Sequence, residues 1–263
     1  MACAALVHVG PAKQSFWSVY TRGGRSAIGG RLRERTRMLV RRGVVELPPG
    51  RMTIRDGGVL LDLALAEDEG FQARCQHGGG SGGGKTRSRG GRGGGDDDSG
   101  GGGEVWTRKQ AGVRAHGTLA LDGGPAREIE ALAVIDDTAG YHARHTEWWW
   151  SAGVGTDEDG APLAWNLVAG VNDPQTGSER AVWIAGEPRE APPVRFATDL
   201  SEILAEDGSR LSFLAEAERR RRESLLIVSS DYTAPFGTFS GTLPGGIRLA
   251  DGLGVVEHHR AKW

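Results

Sequence analysis

The sequence predicts a mostly antiparallel β protein, a sandwich or barrel with few short helices. Three observations carry that expectation. Short runs of strand-forming residues recur along the chain, turn signals separate them every ten to fifteen residues or so, and helical periodicity is scarce. Strands alternating with long amphipathic helices would instead have indicated βαβ units and a parallel sheet.

In chain order, residues 16–20 (Phe-Trp-Ser-Val-Tyr) are rich in strand formers. Residues 44–47 run into Pro48-Pro49-Gly50, and residues 52–54 lead to the turn Asp56-Gly57-Gly58. Residues 59–65 show partial period-two alternation with one polar residue, Asp62. Further strands are expected at 117–121, 131–135, 142–150, 164–169, 181–184 and 225–230. They are separated by Asp122-Gly123-Gly124, Asp159-Gly160, Asn172-Asp173-Pro174, Asp207-Gly208 and Pro244-Gly245-Gly246. Two short helices are expected, at 31–42 and, with Thr198 as N-cap, at 199–206.

Forty-three glycines interrupt the 263-residue chain, many of them in one tract. Residues 78–103 are almost wholly Gly, Ser, Arg and Asp, which cannot offset the entropy of ordering, so a disordered insert is predicted there. Strand-like sequence resumes at once with Glu104-Val105-Trp106-Thr107, which places the insert at a hairpin tip. Gly79, Gly84, Lys85 and Thr86 match the phosphate-loop spacing, but no buried strand precedes them and no helix can follow, so the match is read as chance. Outside the insert roughly 235 residues remain, enough for a sizeable core. The expected organisation is an N-terminal β half built from residues 1–77 and 104–155 and a C-terminal β half at 156–263, divided near 151–163.

A net charge of −2 gives no global field for nucleic acid or acidic membranes. The arginine-dense stretches at 22–42 and 219–222 lack the interleaved aromatics that base stacking requires. Cys3 and Cys75 are the only cysteines, too few for a disulfide framework, and no window approaches the 18 or so apolar residues of a membrane span. The opening residues 1–9 are too short for a secretory signal, so a cytoplasmic location is expected. No cofactor signature, no G-x-S-x-G elbow and no CxxC pair is present. The oligomeric state is left open.

The segment densest in chemistry runs from Asp136 to Trp150. On a strand, alternation places His142, Arg144, Thr146, Trp148 and Trp150 on one face and Tyr141, Ala143, His145, Glu147 and Trp149 on the other. Either face mixes aromatic area with ionisable groups, as small-molecule pockets do; a tryptophan-rich core with satisfied polar groups fits the same residue types. His142 or His145, beside Glu147 or Glu257, could act as general acid or base. A metal site would have to draw one histidine from His142/His145 and one from His258/His259, with Glu257, because neighbours in each pair point to opposite faces; no metal is assigned. Asn166 would be a costly buried amide without partners or ligand. Glu179 and Arg180 are read most simply as a structural charge pair or turn cap. The C-terminal run ending Glu257-His258-His259-Arg260-Ala261-Lys262-Trp263 suggests a docked last strand.

Taken together, the runs 136–141, 146–155, 165–173, 178–183, 235–246 and 257–263, with Trp106-Thr107-Arg108-Lys109-Gln110, resemble the bacterial family known as domain of unknown function 2804. More distantly the chain is similar to carotenoid-hydratase and Diels–Alderase-like proteins. That resemblance implies two lipocalin-like β-barrels or sandwiches in tandem around an apolar ligand cavity. It also implies a Thr-x-Trp-x-Trp pattern, which favours the face of His142, Thr146, Trp148 and Trp150 as the interior. Family members carry an additional N-terminal stretch that this chain lacks, so early strands are expected to be missing, and the glycine insert is particular to it.

The function expected is binding of a small, largely apolar molecule by Thr146, Trp148, Trp150, Asn166, Tyr232 and His258. Acid–base chemistry (hydration, isomerisation or cyclisation) would pass through His142, His145 or Glu257. The rival expectation is a non-catalytic structural or interaction protein in which the same residues serve as core.

Overall fold

The computed structural model describes residues 2–9, 12–22, 30–37, 44–76, 104–141, 143–225 and 228–262. Three antiparallel sheets account for them. The first joins β1 (Ala2–Val9), β2 (Ala12–Arg22) and β3 (Gly30–Arg37). The second contains β4 (Val45–Glu46), β5 (Arg51–Asp56), β6 (Val59–Leu65), β7 (Phe71–Gln76), β8 (Glu104–Leu121) and β9 (Arg127–Gly140), in the order β4-β5-β6-β8-β7 with β9 also on β8. The third follows in the chain as β10 (His145–Thr156), β11 (Pro162–Ala169), β12 (Ala181–Ile184), β13 (Glu187–Glu190), β14 (Val194–Phe196), β15 (Glu202–Ala205), β16 (Arg210–Leu225), β17 (Val228–Leu243), β18 (Ile247–Leu249) and β19 (Asp251–Lys262). Its order is β13-β12-β11-β10-β19-β17-β16-β15-β14, with β18 on β17. Every strand pairing is antiparallel, as the fold class predicted; the first two sheets make an N-terminal half and the third a C-terminal half.

Several expectations need correction. No helix occurs among the described residues, and none of them forms an apolar helix long enough to cross a membrane. Residues 31–37 lie in β3, where Leu32 pairs with Tyr20: the arginines offer no apolar stripe, and sheet pairing wins. At 199–206 the Asp199 carboxylate accepts from the backbone N–H and hydroxyl of Ser201, and Leu200 sits at φ 62°, so the chain turns into β15 instead of winding. Of residues 225–230, read as one strand, Leu225 ends β16 and Val228 opens β17, while 226 and 227 lie outside the described residues. The 151–163 stretch expected to divide the halves is the β10–β11 hairpin of one sheet, in which Thr156 pairs with Pro162. β9 of the second sheet ends at Gly140, and β10 of the third begins at His145.

The predicted insert and its phosphate-loop match, 78–103, lie outside the described residues, as do His142 and Trp263. The strands around the insert form a hairpin in which Gln76 pairs with Glu104. β8 bends at a bulge between Ala111 and Val113, where Gly112 adopts φ 75°. Its first part pairs with β7 and its second with β6, so one strand serves two surroundings.

Each half has its own core. Trp17, Val19, Ile54, Val59, Leu61 and Ala115 fill the N-terminal one, and Trp165, Leu167, Phe213, Phe239, Leu243 and Val256 the C-terminal one. A smaller cluster of Ala111, Ala164, Ala181 and Trp183, with Phe71 edge-on to Trp183, joins the halves. In the C-terminal core, Trp165 lies over Gly153 and donates its indole N–H to the Ser151 hydroxyl, 3.1 Å away. A Cβ at position 153 would stand 2.2 Å from Trp165 Cζ2 and 2.7 Å from the Leu253 carbonyl oxygen. Gly153→Ala is therefore expected to cost about 1–3 kcal/mol by overpacking, measured by urea denaturation; an unchanged midpoint would show that the indole yields freely.

Candidate functional site

The alternation of β10 sorts its three tryptophans. Trp148 pairs with His259 and Trp150 with Glu257 on β19, while Tyr232 on β17 pairs with His259. Paired residues share a face, so Thr146, Trp148, Trp150, Glu257, His259 and Tyr232 stand together on the side of the sheet turned toward the N-terminal half. Trp149, His258, Glu147 and Arg260 stand on the opposite side, continuous with the C-terminal core.

On the first face the Glu257 side chain is largely shielded, 12% exposed, and the indole N–H of Trp148 donates to its carboxylate at 2.9 Å. The Tyr232 hydroxyl also bonds to it. Burial pushes the Glu257 carboxyl up to about 7, against the opposing effect of those two donors. His259 is tilted against Trp148 with ring centres 4.3 Å apart and edge-on to Tyr232; burial holds its imidazole down to about 4, so it is neutral at ordinary pH. The Arg219 guanidinium lies 5.1 Å from the Tyr232 ring centre and is itself buried. Cys3 of β1 lies within electrostatic range of Arg219 and Glu257, which places the N-terminal sheet over this cluster.

Two neighbouring groups on the same face meet the second sheet. Trp150 donates to the Asn166 side-chain oxygen at 2.8 Å, and the Asn166 amide donates to the Glu179 carbonyl at 2.8 Å. Asn166, fully buried, thus has protein partners for both ends of its amide. Beyond it Lys109, 2% exposed, reaches Asp136 at 2.5 Å and Glu179 at 3.4 Å. Burial raises the Glu179 carboxyl, and the two carboxylates outweigh burial in keeping Lys109 charged. Glu179 and Arg180, adjacent in sequence, do not pair with each other. Arg180 points the other way and donates to the carbonyls of Pro174 and Ala191.

The structure therefore divides the predicted site. Thr146, Trp148, Trp150, Tyr232 and Glu257 share a face, with Asn166 further along it. His258 and His145 lie on the other. Adjacent residues of a strand cannot point the same way, so His259, not His258, joins Glu257. His145 is exposed at the start of β10. His258 stacks on Trp149 at 4.6 Å with the rings 4° from parallel, and its Nε2 lies 2.9 Å from Glu147. Glu147 also accepts from Arg260 at 2.7 Å; Arg260 and His258 hold its carboxyl below the usual range. A cleft of about 310 Å³ opens on this side, lined by Arg220, Thr233, His258, Phe213 and Leu200 among others.

Sequence reasoning did not single out Arg219, Lys109, Ser230 or Asp136 as site members. Only the register of long strands shows that Arg219 and Lys109 are buried. A signal was available in part: the family-like runs 106–110, 136–141, 146–155, 165–173, 178–183 and 257–263 all contribute to this junction.

Comparison with known proteins gives no match among curated proteins. Among solved structures the chain is similar over 98% of its length to kievitone hydratase from Nectria haematococca, at 10% identity, 87% coverage of that chain and a TM-score of 0.44. It is also similar over 97% of its length to a protein assigned as AttH from Nitrosomonas europaea, at 12% identity, 84% coverage and a TM-score of 0.39. The family model described as Domain of unknown function (DUF2804) matches residues 105–263, more than half of the chain and a stretch that includes Lys109, Trp148, Glu179 and Glu257; the chain belongs to that family.

Proposed function

We propose that the protein binds a small, largely apolar molecule against the face carrying Thr146, Trp148, Trp150 and Tyr232, and that Glu257 passes a proton to it. One observation carries the reading: the largely shielded Glu257 carboxyl is set among the Trp148 indole, the Tyr232 phenol and the His259 imidazole, where burial raises it to about 7. A proton donor works best with a pKa near the working pH, and the aromatic faces of Trp148 and Tyr232 would favour positive charge on a protonated alkene or carbonyl. From that cation, addition of water gives hydration, loss of a neighbouring proton gives isomerisation, and attack by an internal π-bond gives cyclisation. Neutral His259 would accept the proton released in the second step. No cofactor is required.

The rival reading, a core without chemistry, is favoured at Asn166, whose partners are all protein groups, so Asn166 is assigned to the framework rather than to ligand orientation.

Native mass spectrometry of full-length protein exposed to lipid extracts tests the proposal. One small molecule should be retained, and Glu257→Gln should keep it while slowing its conversion by about 10²–10⁴-fold. Folded protein that retains nothing, or Glu257→Gln that converts the ligand at the wild-type rate, overturns it.

A further inference from the structure

β17 and β19 run antiparallel with Tyr232 opposite His259 and Ser230 opposite Ala261. That register places Ser230, one alternation beyond Tyr232, on the same face as His259 and Glu257. The Ser230 hydroxyl oxygen lies 2.8 Å from His259 Nε2. The other ring nitrogen, Nδ1, faces Glu257 Oε1 at 3.9 Å. Serine is activated as a nucleophile by an imidazole that holds its hydroxyl on one nitrogen and a carboxylate on the other; here the hydroxyl is in hydrogen-bond reach and the carboxylate stands within ion-pair distance, closing on Nδ1 when the ring takes up a proton. That arrangement recurs on unrelated folds in any chain order and without a fixed sequence motif.

From this geometry we infer that Ser230, His259 and Glu257 form a nucleophile, base and acid set that cleaves a small carboxylic ester with an apolar acyl or alkyl part. Ser230 Oγ attacks the ester carbonyl carbon, forming a C–O bond as its proton passes to His259 Nε2. The imidazolium so formed is paired by the Glu257 carboxylate at Nδ1. Collapse of the tetrahedral intermediate breaks the original ester C–O bond, and the leaving alkoxide takes the proton from Nε2. Water, deprotonated by the same nitrogen, then attacks the acyl-serine; the acid is released and Ser230 regains its proton. Arg219, buried over the Tyr232 ring on the same face, is the cation assigned to the developing oxyanion. Trp148 and Trp150 give the apolar part of the ester its surface.

Two charge states bear on this use: burial lowers the basicity of the His259 imidazole, and an ionised Glu257 beside it would raise it. His259 is neutral, as a base must be, at all pH values above about 4. Glu257 takes its carboxylate form as pH rises past about 7, so serine activation should switch on across that range. The inference goes beyond the proton-donor reading of Glu257, which uses the other protonation state of that group, and the two fail separately. Absence of serine labelling leaves ligand retention and Glu257-dependent conversion untouched.

An alkyl fluorophosphonate, which phosphonylates activated serines with loss of fluoride, tests the set directly on the full-length protein by intact mass and peptide mapping. The expected result is one adduct, on Ser230, absent in Ser230→Ala and formed at least about 100-fold more slowly in His259→Gln. The wild-type labelling rate should rise through about pH 7, and Glu257→Gln should lack that rise. No adduct on folded wild type, an adduct mapping to another serine, or His259→Gln labelling at the wild-type rate overturns the inference. The wild-type peptide map decides the assignment by itself if Ser230→Ala does not fold.

Discussion

Lys109→Met is expected to destabilise the protein by about 3–5 kcal/mol at neutral pH, the cost of removing one partner from a buried ionic cluster. Lys109 is the cation shared by Asp136 at 2.5 Å and Glu179 at 3.4 Å, and it links β8 and β9 of one half to the segment before β12 in the other. Without it, two carboxylates would face each other in a site whose burial already raises Glu179. The loss should shrink in acid, where Glu179 takes up its proton. It should also be smaller when Glu179→Gln is present, and the double-mutant cycle gives the coupling between the two residues. Urea denaturation of the four proteins measures it. A Lys109→Met protein within about 1 kcal/mol of wild type would mean that water reaches the cluster and the ion pairs do not hold the halves together.

The second large effect lies in the pH dependence of stability. Glu257 moves from an ordinary 4.5 up to about 7 on folding, and His259 from 6.5 down to about 4. Each displacement corresponds to about 3 kcal/mol. Between pH 4.5 and 7 the folded protein keeps a proton on Glu257 that the unfolded chain has released, so this residue makes stability fall as pH rises. Between pH 4 and 6.5 the unfolded chain protonates His259 while the folded protein does not, so that residue makes stability rise with pH. The two slopes oppose each other across 4.5–6.5. Relative to wild type, Glu257→Gln should therefore gain stability progressively from pH 4.5 to 7, by about 3 kcal/mol in all, and His259→Asn should lose stability over pH 4–6.5 by a similar amount. Denaturation midpoints at pH 4, 5.5 and 7 suffice to check this. Profiles parallel to wild type in both variants would show that neither group is desolvated, and the proton-donor reading would lose its support.

These effects differ in how legible they were. The strands at 59–65 and 181–184 were read with the bounds they have, because alternation and flanking turns are local properties. The helices expected at 31–42 and 199–206 were lost to distant or sub-local forces: pairing with β2 in one case, and an aspartate bonding two residues ahead in the other. The sorting of Trp148 and Trp150 from Trp149 was also legible, since period-two geometry follows from the backbone alone. The choice of His259 over His258 as the neighbour of Glu257 required the same rule applied to the last strand, together with the register between β10 and β19.

By itself, then, the sequence determined the antiparallel β class, the position of the glycine-rich insert between two pairing strands, and the sharing of one strand face by Thr146, Trp148 and Trp150. Each of these follows from residue type and local spacing. Tertiary structure alone decided that Lys109 and Arg219 are buried cations, that Asn166 is buried with both ends of its amide bonded, and that Ser230 meets His259. A side chain's charge state and partners depend on which strands, scores of residues apart, are brought into register around it, and no local pattern encodes that pairing.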